Sequence, residues 1–315
     1  MATVSARATY IGSVSGAAWR SCRLVAEIPS IPLLMLSILV VFALFAPVIA
    51  PHTKLTPVKP THAQCEAKFG NASCPYIDYV PPFWAHGGTV DTPLGTDFLG
   101  RDVLSRLMYG ARISLVVALT GTLFAGAIGT FLGVLAGYLG KWWDQIIMRI
   151  TDAWLTLPSL VFAILLSSVR GPGLWNVVLI LALVFWSRYS RAVRGEVLAL
   201  RERDFVKLAE INGIGKLTII FRHLIPNVMN TVMVLFSLQV GVAVIIEASL
   251  SFLGVGVPPP EPSWGLMMAQ ERDSLMQGRW WLAVFPGICI TMLVLSANML
   301  GDWLRVRLDP QLRNR

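Results

Sequence analysis

Charge is what this chain has least of. Asp, Glu, Lys and Arg make up 14% of its 315 residues, and 55% are apolar. Soluble domains carry roughly 25% charged residues. A chain this apolar cannot cover a water-facing surface, so much of it must face lipid. Cysteine is sparse as well. Cys22, Cys65, Cys74 and Cys289 include no CxxC pair, so a zinc or redox motif has no support. No GxxxxGK[ST] stretch occurs, so the chain has no phosphate-cradling loop of its own. His52, His62, His86 and His223 all fall in or beside loops, where no nucleophile–base or metal-ligand cluster forms around them. That pattern speaks against a membrane-embedded enzyme. The net charge of +8 does not indicate nucleic acid, because the positive residues cluster between apolar runs rather than along one stripe.

What is present is a series of charge-poor runs. A bilayer core is about 30 Å thick and takes about 20 apolar helical residues to cross. Runs of suitable character cover residues 28–53, with an apolar heart at 31–50, then 113–140, 153–169, 171–187, 224–246 and 280–301. Backbone polar groups in lipid are paired within their own segment, so each run is expected to be a helix, giving an all-α membrane protein with six spans. The third and fourth runs are short and meet at Arg170-Gly171-Pro172-Gly173, the turn of a hairpin. The first run follows about 30 residues of leader and has an apolar core longer than that of a secretory signal, so it reads as a retained anchor.

Lys and Arg set the orientation. Arg7, Arg20 and Arg23 precede the first span. The segment between spans four and five carries Arg188, Arg191, Arg194, Arg201, Arg203, Lys207, Lys216 and Arg222, and the tail ends with Arg305, Arg307, Arg313 and Arg315. With six spans these regions share one side, and the positive-inside bias makes it the cytoplasm. The segments are then a cytoplasmic 1–30, a first span 31–50, an outer loop 51–112, a five-helix core 113–303 and a cytoplasmic tail 304–315. The outer loop also holds six basic residues, but long loops obey the bias poorly, and five acidic residues nearly balance them. Within it, the run 100–112 places Val103, Leu104, Leu107 and Met108 at helical spacing, as expected for an amphipathic helix on the outer surface. Its Asp97, Arg101, Asp102 and Arg106 read as local ion pairs. Cys65 and Cys74 share this loop. Outside the cytoplasm they can form a disulfide, stabilising the loop by about 2–3 kcal/mol; inside it they stay two free thiols.

Several residues within the spans stand out. Gly129, Gly133 and Gly137 repeat every fourth residue on one helix face. They are either a site of close helix approach, within the chain or between subunits, or the ordinary glycine content of membrane helices. Pro158 and Pro286 interrupt spans three and six and bend them. Glu247 is the one acidic residue deep in an apolar run. It either faces a translocation path or reaches the interface at the outer end of span five.

The stretch 188–226 is the longest internal segment on the basic side. It reads as helix, break, helix. Val197, Leu198, Leu200, Phe205, Leu208, Ala209 and Ile211 form an intermittent apolar stripe, Asn212-Gly213-Ile214-Gly215 interrupts it, and a second short helix from Lys216 runs up to Pro226. Such a segment either folds back on its own bundle or presents a knob that a partner covers. The frame Asp204-Phe205-Val206, Ala209-Glu210, Gly213-Ile214-Gly215 and Arg222-His223-Leu224-Ile225-Pro226-Asn227 resembles the EAA signature of ABC-importer permeases, in the form carried by dipeptide, oligopeptide and nickel permeases. Lys207 and Leu208 stand where that signature has Glu and Ala. Leu94-Gly95-Thr96-Asp97, Gly100-Arg101-Asp102-Val103-Leu104-Ser105-Arg106, Tyr109-Gly110-Ala111-Arg112-Ile113-Ser114-Leu115, Leu250-Ser251-Phe252-Leu253-Gly254, Pro262-Ser263-Trp264-Gly265, Asn298-Met299-Leu300-Gly301-Asp302 and Leu308-Asp309-Pro310 are similar to further runs of the same family in the same order.

The resemblance covers roughly residues 30–312 and implies the type I, MetI-like permease fold, as the C-type member of a permease pair. It implies that the loop around Phe205, Val206, Ala209, Glu210, Gly213, Ile214, Gly215 and Pro226 is a coupling helix docked on an ATP-binding subunit. The expected partners are a homologous second permease, two ATP-binding subunits that hold ATP and Mg, and an extracytoplasmic solute-binding protein. No cofactor is expected in this chain. Expected cargo ranges over peptides and similar small solutes, taken across a bacterial inner membrane. The rival readings are a self-sufficient secondary transporter, which calls for inverted repeats and midplane charges, and a channel-like protein.

Overall fold

The computed structural model describes residues 29–59, 65 and 76–308. All regular structure among them is helical. The helices are α1 (Ser30–Ile49), α2 (Val103–Leu139), α3 (Lys141–Thr156), α4 (Ser159–Arg170), α5 (Leu174–Arg201), α6 (Asp204–Ile211), α7 (Lys216–Ile219), α8 (Ile225–Phe252), α9 (Trp264–Gln270), α10 (Arg272–Met276) and α11 (Trp281–Leu308). A wider π turn, Ile220–Leu224, joins α7 to α8 without a break in direction. Five of the described helices are long and apolar enough to cross a bilayer, and α3 with α4 makes a sixth crossing if the bent pair is one span.

The spans are longer than the apolar runs suggest. The segment 100–112 is not a separate surface helix. From Val103 it is the first part of α2, which at 37 residues is about 55 Å long. Asp102 caps it by accepting from the Ser105 backbone N–H at 2.9 Å. At the opposite, basic end, α5 does not stop at Arg188 but continues to Arg201. The reason lies in packing. Val193 and Val197, beyond the first arginines, are fully buried against the end of α2, so the helix pair outlasts its apolar sequence. The irregular part of 188–226 shrinks accordingly to the few residues on either side of α6.

The run 153–169 is broken into two helices, the end of α3 and α4. Pro158 has no N–H to give, and the residue before a proline avoids the helical region. Leu157 is extended, and α3 meets α4 at 93°. Gly171, at φ +82°, ends α4, and the Asn176 side-chain amide donates to the carbonyls of Arg170 and Gly171, both at 3.2 Å, closing the hairpin into α5.

The helix pair α2–α5 forms the centre of the bundle, with α8, α11 and α1 around it. One buried apolar cluster fills the middle, including Phe185, Tyr189, Leu250 and Leu293. A second lies at the basic end, where Val134, Tyr138, Val193 and Val197 meet Val206, Ala209, Ile219 and Leu224. At the far end Trp264 is wholly buried and donates from Nε1 to the Leu107 carbonyl at 3.1 Å. It is therefore a packing element there and not a membrane-interface anchor.

Candidate functional site

The segment from Arg203 to Leu224 wraps the basic end of the bundle. Its short helix α6 divides its apolar residues between two faces. Val206 and Ala209 point inward and are buried. Phe205, Leu208 and Ile211 point outward, with Ile211 80% exposed. Ile214, Leu217 and Phe221 extend this outward surface. The Phe205 ring lies 6.2 Å from that of His223. The result is an exposed apolar knob seated on a buried apolar socket.

Gly213 fixes the end of α6. Its φ of +73° is the left-handed region that glycine adopts without strain. The Ile214 N–H returns to the Ala209 carbonyl at 3.1 Å and the Gly213 N–H to Glu210 at 3.0 Å, the paired bonds of a Schellman ending. Gly215 is different. Its φ is −58°, and it needs no glycine for conformation. A side chain would meet nothing at either position. Glu210 faces the Tyr138 hydroxyl of α2. Lys207, where the family signature has Glu, pairs with Glu202 at 3.0 Å, and this partner holds the Glu202 carboxyl below its ordinary range. Pro226 lies at the start of α8, directly after the π turn.

Behind the knob, ion pairs tie α3 to α5. Asp144 receives both Arg194 Nε at 2.5 Å and Nη2 at 2.6 Å, and Asp152 pairs with Arg191 at 2.5 Å. Gly129, Gly133 and Gly137 face α5 of the same chain. A Cβ at Gly133 would lie 2.9 Å from that of Val193, and one at Gly137 would lie 2.8 Å from that of Val197. The close approach runs within the subunit at these positions. Val206 and Ala209 of α6 thus pack on the ends of α2 and α5, and ion pairs tie α3 to α5.

Glu247 lies far from this site. It is wholly buried in α8 and accepts from Ser251 Oγ at 2.9 Å and from Ser114 Oγ at 3.1 Å. The carboxyl group joins α8 to α2 and has no exposed surface in this chain.

At the end away from the knob, Asp97 gathers Arg101 at 2.7 Å and Arg106, and Arg106 also donates to Gln270 at 2.9 Å. Glu271 accepts from the Phe98 backbone N–H at 3.2 Å and from Ser274 at 2.8 Å. Burial pushes the Glu271 carboxyl above its ordinary range, against the pull of those bonds. Sequence reasoning missed Gln270, Glu271 and Ser274, because nothing in their spacing reveals a partner more than 150 residues away. Cys65 is buried and disulfide-bonded. Cys74 lies outside the described residues.

Residues 129–314, more than half of the chain, match the binding-protein-dependent transport system inner membrane components. The chain belongs to that family. This permease subunit is 39% identical over 284 residues to the di/tripeptide transport system permease protein DppC of Pseudomonas aeruginosa (strain UCBPP-PA14), covering 89% of the chain and 88% of that protein. It is 41% identical over 221 residues to the glutathione transport system permease protein GsiD of Pectobacterium atrosepticum, covering 70% and 73%. Its fold matches a chain of the MetNI methionine ABC transporter in an inward-facing conformation, with a TM-score of 0.53 at 15% identity, over 65% of this chain and 96% of that one. The permease is therefore a multi-pass inner-membrane protein of the ABC-importer class with the MetI-like fold.

Proposed function

We propose that this permease forms half of the translocation pathway of an ATP-driven importer of peptides. It pairs with a homologous second permease, and two partner subunits bind ATP and Mg. An extracytoplasmic solute-binding protein delivers cargo. The basic end and both termini face the cytoplasm. There the knob of α6 seats in a cleft of an ATP-binding subunit, with Phe205, Leu208 and Ile211 as the buried contact and Val206, Ala209, Glu210 and Pro226 holding the knob to the bundle. Gly213 and Ile214 close its end and Gly215 leads into α7. When the ATP-binding subunits close and reopen, the knob moves with them, and α3 and α5 carry the shift inward. Each contact must favour one conformation over the other, or nothing is driven. Peptide cargo follows from the likeness to the di/tripeptide permease, and Cys65–Cys74 pairing in the outer loop follows from the short stretch between them.

The observation that carries this reading is the two-faced division of α6. A helix that only closed the bundle would not expose three large apolar residues at its tip. The test is uptake of radiolabelled dialanine into proteoliposomes holding the complete transporter and its binding protein. Uptake is expected only with ATP on the knob side. Uptake that ignored ATP and collapsed with a proton gradient would identify a secondary transporter instead.

A further inference from the structure

The break between α3 and α4 opens beside a cation with no anion. Arg188 projects from α5 about 21 Å along the axis from Leu174, within a helix long and apolar enough to cross a bilayer. Its guanidinium donates to Gln239 of α8 at 3.1 Å and to Ser159, the first residue of α4, at 3.3 Å. It also lies over the Phe185 ring, 5.3 Å from the centroid. All three partners are neutral. Its neighbours Arg191 and Arg194 each hold an aspartate, and Arg188 holds none among the described residues.

Two further observations point to a ligand. Arg188 lines a cavity of ≈ 40 Å³ together with Ser159, Ser187, Trp154 and Phe162. That space admits a carboxylate-sized group and not a whole solute. The hydroxyl of Ser187, wholly buried and lining the same cavity, has no hydrogen-bond partner among the described residues. An ionisable side chain at this depth is retained for a partner that is either fixed or passing. No carboxylate is paired with it among the described residues.

We propose that Arg188 is a cargo-contacting residue that receives a carboxylate group during translocation. Arginine suits this task, since its planar fork matches a carboxylate in two parallel bonds and stays charged at any working pH. The Ser187 hydroxyl adds a donor to the same group. The 93° break matters because it brings Ser159 and the cavity to the guanidinium, which a straight span would cover. The assignment of the passing carboxylate to a peptide C-terminus rests on the peptide reading above; the anion site itself does not.

The test has two arms, run on the assembled transporter with its partner subunits. In nanodiscs, N-acetylglycine and its neutral amide are titrated against 5-fluorotryptophan-labelled protein, with the Trp154 resonance assigned from Trp154→Phe. The acid is expected to shift that resonance saturably, and the amide is not. Arg188→Gln should weaken binding of the acid by about ten-fold or more, the size of a lost charge-assisted bond, with Arg188→Lys in between. In proteoliposomes, Arg188→Gln should lower uptake of dialanine and spare dialanine amide. Equal response to acid and amide, or unchanged binding in Arg188→Gln, overturns the site. Normal anion binding with no peptide uptake by the wild type overturns the peptide reading and leaves the site standing.

Discussion

A Cβ atom at Gly133 would lie 2.7 Å from the carbonyl oxygen of Ser190. A Cβ at Gly129 would lie closer still to the Trp186 carbonyl oxygen, and one at Gly137 would lie 3.1 Å from that of Arg194. At Gly129 and Gly133 the nearest obstacle is backbone, which no rotamer change relieves; at Gly137 the Val197 side chain lies closer than the backbone. Without a hydrophobic drive between helices in lipid, this contact of α2 with α5 is what packs the centre. Gly133→Leu is expected to destabilise the permease by at least about 1–3 kcal/mol, the range for an overfilled core. Thermal unfolding in detergent checks it. Gly195, which faces open space, supplies the control: Gly195→Ala should leave the midpoint unchanged or raise it.

The two glycines after α6 should respond differently. Gly213→Ala forces an L-residue into the left-handed region at a cost of about 1–2 kcal/mol. Gly213→Asn should recover part of that loss, since asparagine tolerates the conformation. Gly215→Ala carries no such strain. Melting curves of the three variants separate the effects, and a loss in Gly215→Ala equal to that in Gly213→Ala would refute the assignment of the turn to Gly213.

Glu271 predicts a pH dependence at the far end. Its carboxyl titrates above the ordinary range because it is buried, so the folded state favours the protonated form. That stabilisation is complete below the unfolded value, near about 4.3, and is lost as pH rises through the folded value. Glu271→Gln lacks the loss. The melting difference between variant and wild type should therefore widen in favour of the variant as pH rises from the acid side. A difference that stayed constant with pH would show that Glu271 does not titrate there.

Much of the fold was legible in the sequence because lipid leaves helices as the one local solution for these runs. Six apolar runs, the Gly171 turn and the glycine ending of α6 follow from composition and local backbone preference. What was not legible depends on partners distant in sequence. Four-residue glycine spacing names a face but not what lies against it, and only the structure puts Val193 and Val197 there. Trp264 has the character of an interfacial residue, yet a carbonyl 157 residues away takes its N–H. Counting charges ended span four at Arg188, but a helix packed on α2 continues past the lipid. In α6, period alone did not reveal that Phe205, Leu208 and Ile211 face away from Val206 and Ala209, because both faces are apolar.

The most direct test of the coupling reading is a cysteine at Ile211, at the tip of the knob, compared with one at Val206 in the socket. In intact cells that lack the ATP-binding subunits, Ile211→Cys should react with a membrane-permeant maleimide and resist an impermeant one. In the assembled transporter it should cross-link to the ATP-binding subunit, while Val206→Cys should not. Labelling of Ile211→Cys from outside the cell, or a transporter that turns over ATP normally with no cross-link from this position, would contradict the account.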